Sequence, residues 1–161
     1  MAVFISYQQN DINEAVLIRN ILNNSNIECY LDVFDAESRE ARPDKITKII
    51  TENISKSTHL IAVTSKNTDA SWWVPFEIGE ATITDCRIAT FRKESTNLPE
   101  YLHQWPAMKR LSDLELFVRA YKEDSRKMMV ESMESRDHRG TNITGRSADF
   151  FHQDLKRKLN Q

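Results

Sequence analysis

Apolar residues fall in short runs separated by polar stretches, and several of those stretches carry apolar positions at helical spacing. Val3-Phe4-Ile5 is a compact run that ends at Ser6-Tyr7, as a buried strand does. Asn10 and Asp11 followed by Glu14 form a helix start resembling a capping box. Behind it Val16, Leu17, Ile21 and Leu22 recur at helical spacing, and the turn-forming Asn23, Asn24, Ser25 and Asn26 close the helix. Residues 27–33 read as a second strand. Residues 34–42 are polar and charged and read as a long exposed loop. Pro43 then fits the first turn of a helix with Ile46, Ile49, Ile50 and Ile54 on one stripe. Leu60 to Val63 reads as a third strand, residues 65–71 as a polar connection, residues 72–84 as a helix with Pro75 near its first turn, and residues 86–91 as a fourth strand.

Strands that alternate with helices at this spacing predict a parallel sheet covered on both faces and joined by right-handed crossovers. The simplest solution is an α/β fold, a flavodoxin-like three-layer sandwich with a central parallel sheet flanked by helices. Beyond Phe91 the pattern weakens. Residues 98–105 have two prolines nearby, residues 111–121 fit either a strand then a helix or a helix alone, and residues 122–139 are almost wholly polar. Phe151, Leu155 and Leu159 share one helical face, so the last segment is expected to dock. The division expected is residues 1–121 as the main domain, with residues 122–161 a polar segment and helix packed on it or appended to it.

Composition changes this picture mainly by exclusion. A chain of 161 residues suits one domain with a real core. With 40% apolar and 29% charged residues and a net charge of −2, it has neither the profile of a disordered chain nor the footprint of a nucleic-acid binder. No signal peptide or membrane span is read, so a cytoplasmic location is expected. Cys29 and Cys86 sit beside strand-like residues and read as reduced structural thiols, and the four histidines have no ligand spacing, so no metal site is expected. The only glycines are Gly79, Gly140 and Gly145. A glycine-rich phosphate loop after the first strand is therefore ruled out, and with it a dinucleotide kept as a redox cofactor. A phosphoacceptor domain is discounted too, because the first strand ends in Ser6-Tyr7 where that chemistry needs acidic residues, even though Asp32 lies near the end of the second strand.

Open α/β sheets bind ligands beyond the carboxyl ends of their strands, where strand order reverses. Ser6, Tyr7 and Ser65 are expected on that rim, either touching a ligand or capping the next turn. On the helix after the third strand, Trp73 and Glu77 stand four residues apart and share one face. An indole there can wall in a flat heterocycle or pack in the core, while a partly desolvated carboxylate can stabilise a developing cation. Glu80, one turn on, lacks that aromatic partner and reads as a surface charge. Trp72 reads as core or interface, and Asp11 and Asp35 as capping or solvated carboxylates.

Val3-Phe4-Ile5-Ser6-Tyr7 on the first strand, the charged loop after the second, and Ser71-x-Trp73-x-x-x-Glu77 together resemble a Toll/interleukin-1 receptor (TIR) domain over roughly residues 1–120. They are closest in pattern to the NAD-consuming, Thoeris-like proteins of bacterial anti-phage defence. The resemblance implies cleavage of NAD⁺ at its nicotinamide ribosyl bond, giving nicotinamide with ADP-ribose or a cyclic isomer. Glu77 matches the family's catalytic glutamate, and residues 34–42 match the loop that borders the pocket and mediates assembly, so Phe34, Arg39 and Arg42 join Ser6, Tyr7, Ser65 and Trp73 as expected substrate contacts. NAD⁺ is then a substrate, with no separate cofactor. TIR–TIR self-association and a downstream effector answering to the product are the partners implied. Two rivals remain open: a non-catalytic TIR adaptor, and a nucleoside deoxyribosyltransferase-like enzyme that attacks an N-glycosidic bond.

Overall fold

Five strands form one parallel sheet: β1 (Ala2–Ser6), β2 (Glu28–Leu31), β3 (His59–Thr64), β4 (Arg87–Arg92) and β5 (Ala107–Met108). Their order is β2-β1-β3-β4-β5, and every neighbouring pair is parallel. Among the described residues five α-helices accompany them: α1 (Ile12–Asn24), α2 (Pro43–Lys56), α3 (Trp73–Ile83), α4 (Asp113–Glu134) and α5 (Thr144–Lys158). The computed structural model describes residues 1–31, 43–93, 99–134 and 144–161. The expected contacts Phe34, Arg39 and Arg42, and Asp32 and Asp35, lie outside the described residues.

Alternation along the central strands sorts the core into two layers. Val3 and Ile5 of β1, Ile61 and Val63 of β3, and Ala89 and Phe91 of β4 point to one face, where they meet Ile18 and Leu22 of α1, Phe117 of α4, and Phe151 and Leu155 of α5. Phe4, Leu60, Ala62 and Ile88 point to the other, against Ile50 and Ile54 of α2 and Val74, Ile78 and Ala81 of α3. Each of the larger side chains among them, taken fully out of water, contributes roughly 1.5–3 kcal/mol. The three-layer sandwich read from the sequence is therefore the observed architecture, with the strands and helices shifted by only a residue or a few at their ends.

Several local details differ from expectation. The stripe α1 buries is Ala15, Ile18 and Leu22, while Leu17 stays 42% exposed, because Val16-Leu17-Ile18 offers three apolar residues to one helical position. Asp11, at the N-cap position of α1, makes no side-chain capping bond. The weakly patterned region resolves into the two-residue β5 and the long α4, and the boundary expected after Tyr121 falls inside α4. The last helix, by contrast, docks as expected, through Phe151 and Leu155 with Leu159 packed beside them.

With few glycines, the chain closes its helices on other residues in the left-handed region. Asn26 (φ 61°) follows α1 and Asp85 (φ 56°) follows α3. In each case the next amide bonds back to the helix, Ile27 N–H to Leu22 O at 3.0 Å and Cys86 N–H to Ala81 O at 3.0 Å, the closure that reverses the chain into β2 and β4. Because β5 is so short, much of the β4 edge would be bare. The Ile88 N–H instead donates to His152 Nε2 of α5 at 2.9 Å, and the Gln161 side chain pairs with both the N–H (3.0 Å) and C=O (2.6 Å) of Ala107 on β5.

Candidate active site

The strand order reverses between β1 and β3, since the chain leaves β1 for β2 on one side and returns to β3 on the other. Ser6 is the last residue of β1 and shares its face with Phe4, so its side chain turns toward the α2–α3 layer. On α3 the positions that face the sheet are Val74, Ile78 and Ala81. Glu77 belongs to that same stripe and is wholly buried. A carboxylate set among apolar core positions is rare unless it is paired. Its Oε2 accepts a hydrogen bond from the Ser6 hydroxyl, which is also wholly buried. One turn earlier on α3, Trp73 lies partly buried at the border of this core and packs edge-on against Phe76, ring centroids 5.9 Å apart. The helix start is held by Ser71, whose Oγ accepts from the Val74 N–H at 3.3 Å.

A second polar cluster occupies the opposite face of the same rim. Asp11 is fully buried, and its carboxylate accepts from Ser65 Oγ at 2.6 Å and from Asn67 Nδ2 at 3.0 Å. Ser65 Oγ accepts in turn from the Asn67 N–H at 3.0 Å, and the Ser65 N–H donates to Thr68 Oγ1 at 2.9 Å. Lys93, just past β4, reaches Glu14 at 2.6 Å and Asp11 at 3.9 Å. These bonds pin the start of the connection that leads into α3.

Among the expected site residues, Ser6 and Glu77 are in direct contact and Trp73 stands beside them on the same helix. Tyr7 and Ser65 reach the rim but turn to the other face. Tyr7 packs with Val3, Ile5 and the α1 side of the core, and the Ser65 hydroxyl is committed to Asp11. The expected reading of Asp11 as a cap or solvated charge is corrected, because it is a buried acceptor that ties the start of α1 to the connection after β3. Trp72 is 90% exposed and so is not core. Sequence reasoning missed Asn67 and Lys93, whose partners lie far from them along the chain.

The opposite, amino end of the sheet holds a different polar network. His59 is fully buried among Phe117, Tyr121 and Phe151, and its Nδ1 lies 2.9 Å from Thr58 Oγ1. Asp124 stands 3.6 Å from its Nε2 but is already engaged by Arg87 Nε at 2.9 Å. Burial, and after it the Arg87 charge, hold the His59 imidazole well below its usual pKa. Burial likewise depresses His152 to about 4, and it pushes the thiols of Cys29 and Cys86, both free, up to about 12. A groove of about 400 Å³ lined by Cys86, Trp105, Asp149 and His152 opens at this end and includes neither Ser6 nor Glu77. Among the described residues no three metal-binding side chains converge, and no helix is long and apolar enough to cross a membrane.

Comparison with known proteins follows the same lines. The family model of the TIR domain matches residues 3–129. No curated protein matches the sequence. Among solved structures, the TIR domain of the Toll-related receptor TRR-2 from Hydra magnipapillata is similar with a TM-score of 0.61 at 16% identity, over 77% of this chain and 97% of that one. The CMP N-glycosidase BcmB from Clostridium botulinum is similar with a TM-score of 0.50 at 18% identity, over 64% of this chain and 78% of that one. At these identities the likeness is one of fold.

Proposed function

The chain belongs to the TIR domain family, and from that premise we propose that it is an enzyme that cleaves NAD⁺ at the bond between nicotinamide and ribose, with Glu77 as its catalytic carboxylate. The observation that carries this proposal is the Glu77 carboxylate itself, buried in the core-facing stripe of α3 and held by Ser6 where the strand order reverses. A charge kept there is expensive to bury, and functional sites are where such buried ionisable groups concentrate.

The reaction needs little more than that group. Cleavage of an O-glycoside requires an acid for the leaving group as well as a second carboxylate, whereas nicotinamide is cationic while bound to ribose and departs neutral. One carboxylate facing the oxocarbenium-like ribose then supplies the main stabilisation, in a site shielded from water where electrostatic contacts are strongest. Capture of the cation by water yields ADP-ribose, and capture within the ADP-ribose yields a cyclic isomer. Trp73 borders the nicotinamide or ribose, and the Ser6–Glu77 contact opens to admit the substrate. Self-association of TIR copies, a cytoplasmic location and a nucleotide signal in Thoeris-like anti-phage defence complete the proposal.

A second substrate class has support from one observation, the similarity in fold to a protein named as a CMP N-glycosidase. Concentrated protein incubated separately with NAD⁺, CMP and deoxynucleosides, with released bases identified by mass spectrometry, separates the classes. Nicotinamide from NAD⁺ is the expected product. Cytosine from CMP, or base exchange among deoxynucleosides, would move the substrate assignment, and silence with all three would favour the adaptor role.

A further inference from the structure

Arg92 ends β4 on the same face of the sheet as Ser6 and Glu77. Along β4 Ala89 and Phe91 enter the α1–α4 layer while Ile88 enters the α2–α3 layer, and two-residue alternation carries Arg92 to the Ile88 side. Ser6 is in register with Ala62, and Ala62 with Thr90. Arg92 therefore stands two strands across from Ser6 and two residues nearer the rim, about 12 Å between α-carbons from ordinary sheet spacings. An extended arginine and a ribose 5′-phosphate together bridge that gap.

The side chain is half-buried. Its Nε is closed off from solvent and has no acceptor among the described residues. Its neighbour Lys93 turns to the other face and is engaged by Glu14 and Asp11. A buried guanidinium N–H without an acceptor carries a desolvation cost that an oxyanion removes, and the planar fork of arginine matches phosphate oxygens in particular. We propose that Arg92 binds the phosphate next to the substrate's ribose, so that the site selects ribosyl phosphates over uncharged nucleosides. The inference rests on the reaction proposed above for its setting, yet the ligand chemistry is measurable apart from catalysis.

The test is calorimetric titration of ribose 5-phosphate, with ribose as the uncharged control, into wild type, Arg92→Ala and Arg92→Gln, the glutamine variant preserving bulk if the alanine variant misfolds. Wild type should bind ribose 5-phosphate, and both variants should bind it about 10- to 100-fold more weakly, the range for a lost charge-assisted hydrogen bond. In turnover the variants should raise KM for NAD⁺ more than they lower kcat. Wild type that ignores ribose 5-phosphate, or folded variants that bind it as wild type does, would overturn the proposal even if NAD⁺ is cleaved. Arg92-dependent binding in a protein that cleaves no NAD⁺ would uphold it and sink the NAD⁺ assignment alone.

Discussion

Replacing Asp11 with alanine removes a fully buried acceptor. Two donors lose their partner at once, Ser65 Oγ at 2.6 Å and Asn67 Nδ2 at 3.0 Å. Hydrogen bonds to a charged group contribute about 1.5–3 kcal/mol each, and breaking up a buried charged cluster typically costs about 3–5 kcal/mol. We expect Asp11→Ala to lose about 3–5 kcal/mol, which for a chain of this size lowers Tm by roughly 6–20 °C. Asp11→Asn keeps one acceptor oxygen and should lose about half as much. Glu14→Ala removes only the partly exposed partner of Lys93 and should change stability by less than about 1 kcal/mol. Urea titration followed by circular dichroism measures all three. An Asp11→Ala variant within about 1 kcal/mol of wild type would refute the view that Asp11 clamps the rim.

Acid should weaken the fold at the other end of the sheet. His59 and His152 have depressed pKa values when folded, so below about 6.5 the unfolded chain binds protons that the native chain does not. Stability is then independent of these groups above pH 6.5. It falls as pH drops from 6.5 toward 4, by up to about 1.4 kcal/mol per pH unit for each imidazole. Urea midpoints at pH 7.5, 6 and 5 check this, and His152→Gln should flatten the slope. Phe151 is buried in the core shared by α4 and α5, so Phe151→Ala should cost about 3–5 kcal/mol in urea unfolding. An unchanged midpoint would mean that the last helix is only appended.

The fold was legible where apolar runs end on turn formers, as at Ser6-Tyr7 and at Asn23 to Asn26, because hydrophobic period and turn chemistry agree there. It was illegible where that agreement fails. β5 is two residues long, too short to show a period. The later part of α4 carries exposed Met129, Val130 and Met133 among charged residues, so it lacks the one-sided stripe that marks a packed helix. Around the candidate site, the burial of Glu77 follows from its place on α3 between Val74 and Ile78, with Trp73 one turn before it at the border of the same core. Tyr7 was separable from Ser6 in principle, since adjacent strand residues point to opposite faces. Asp11 was not, because an acid at a helix start looks like a cap until the fold brings Ser65 to it from 54 residues away. Arg92 carries no local signal either, as only its register on β4 puts it on the face of Glu77.

The most direct test of the central claim is the rate of nicotinamide release from NAD⁺ by concentrated wild type and Glu77→Gln, measured by chromatography and mass spectrometry. Glutamine keeps an oxygen that can accept the Ser6 hydroxyl while removing the charge, so the fold should survive and circular dichroism should match wild type. If Glu77 stabilises the ribosyl cation, release by the variant falls on the order of 10²- to 10³-fold. Equal release by both proteins would contradict the account.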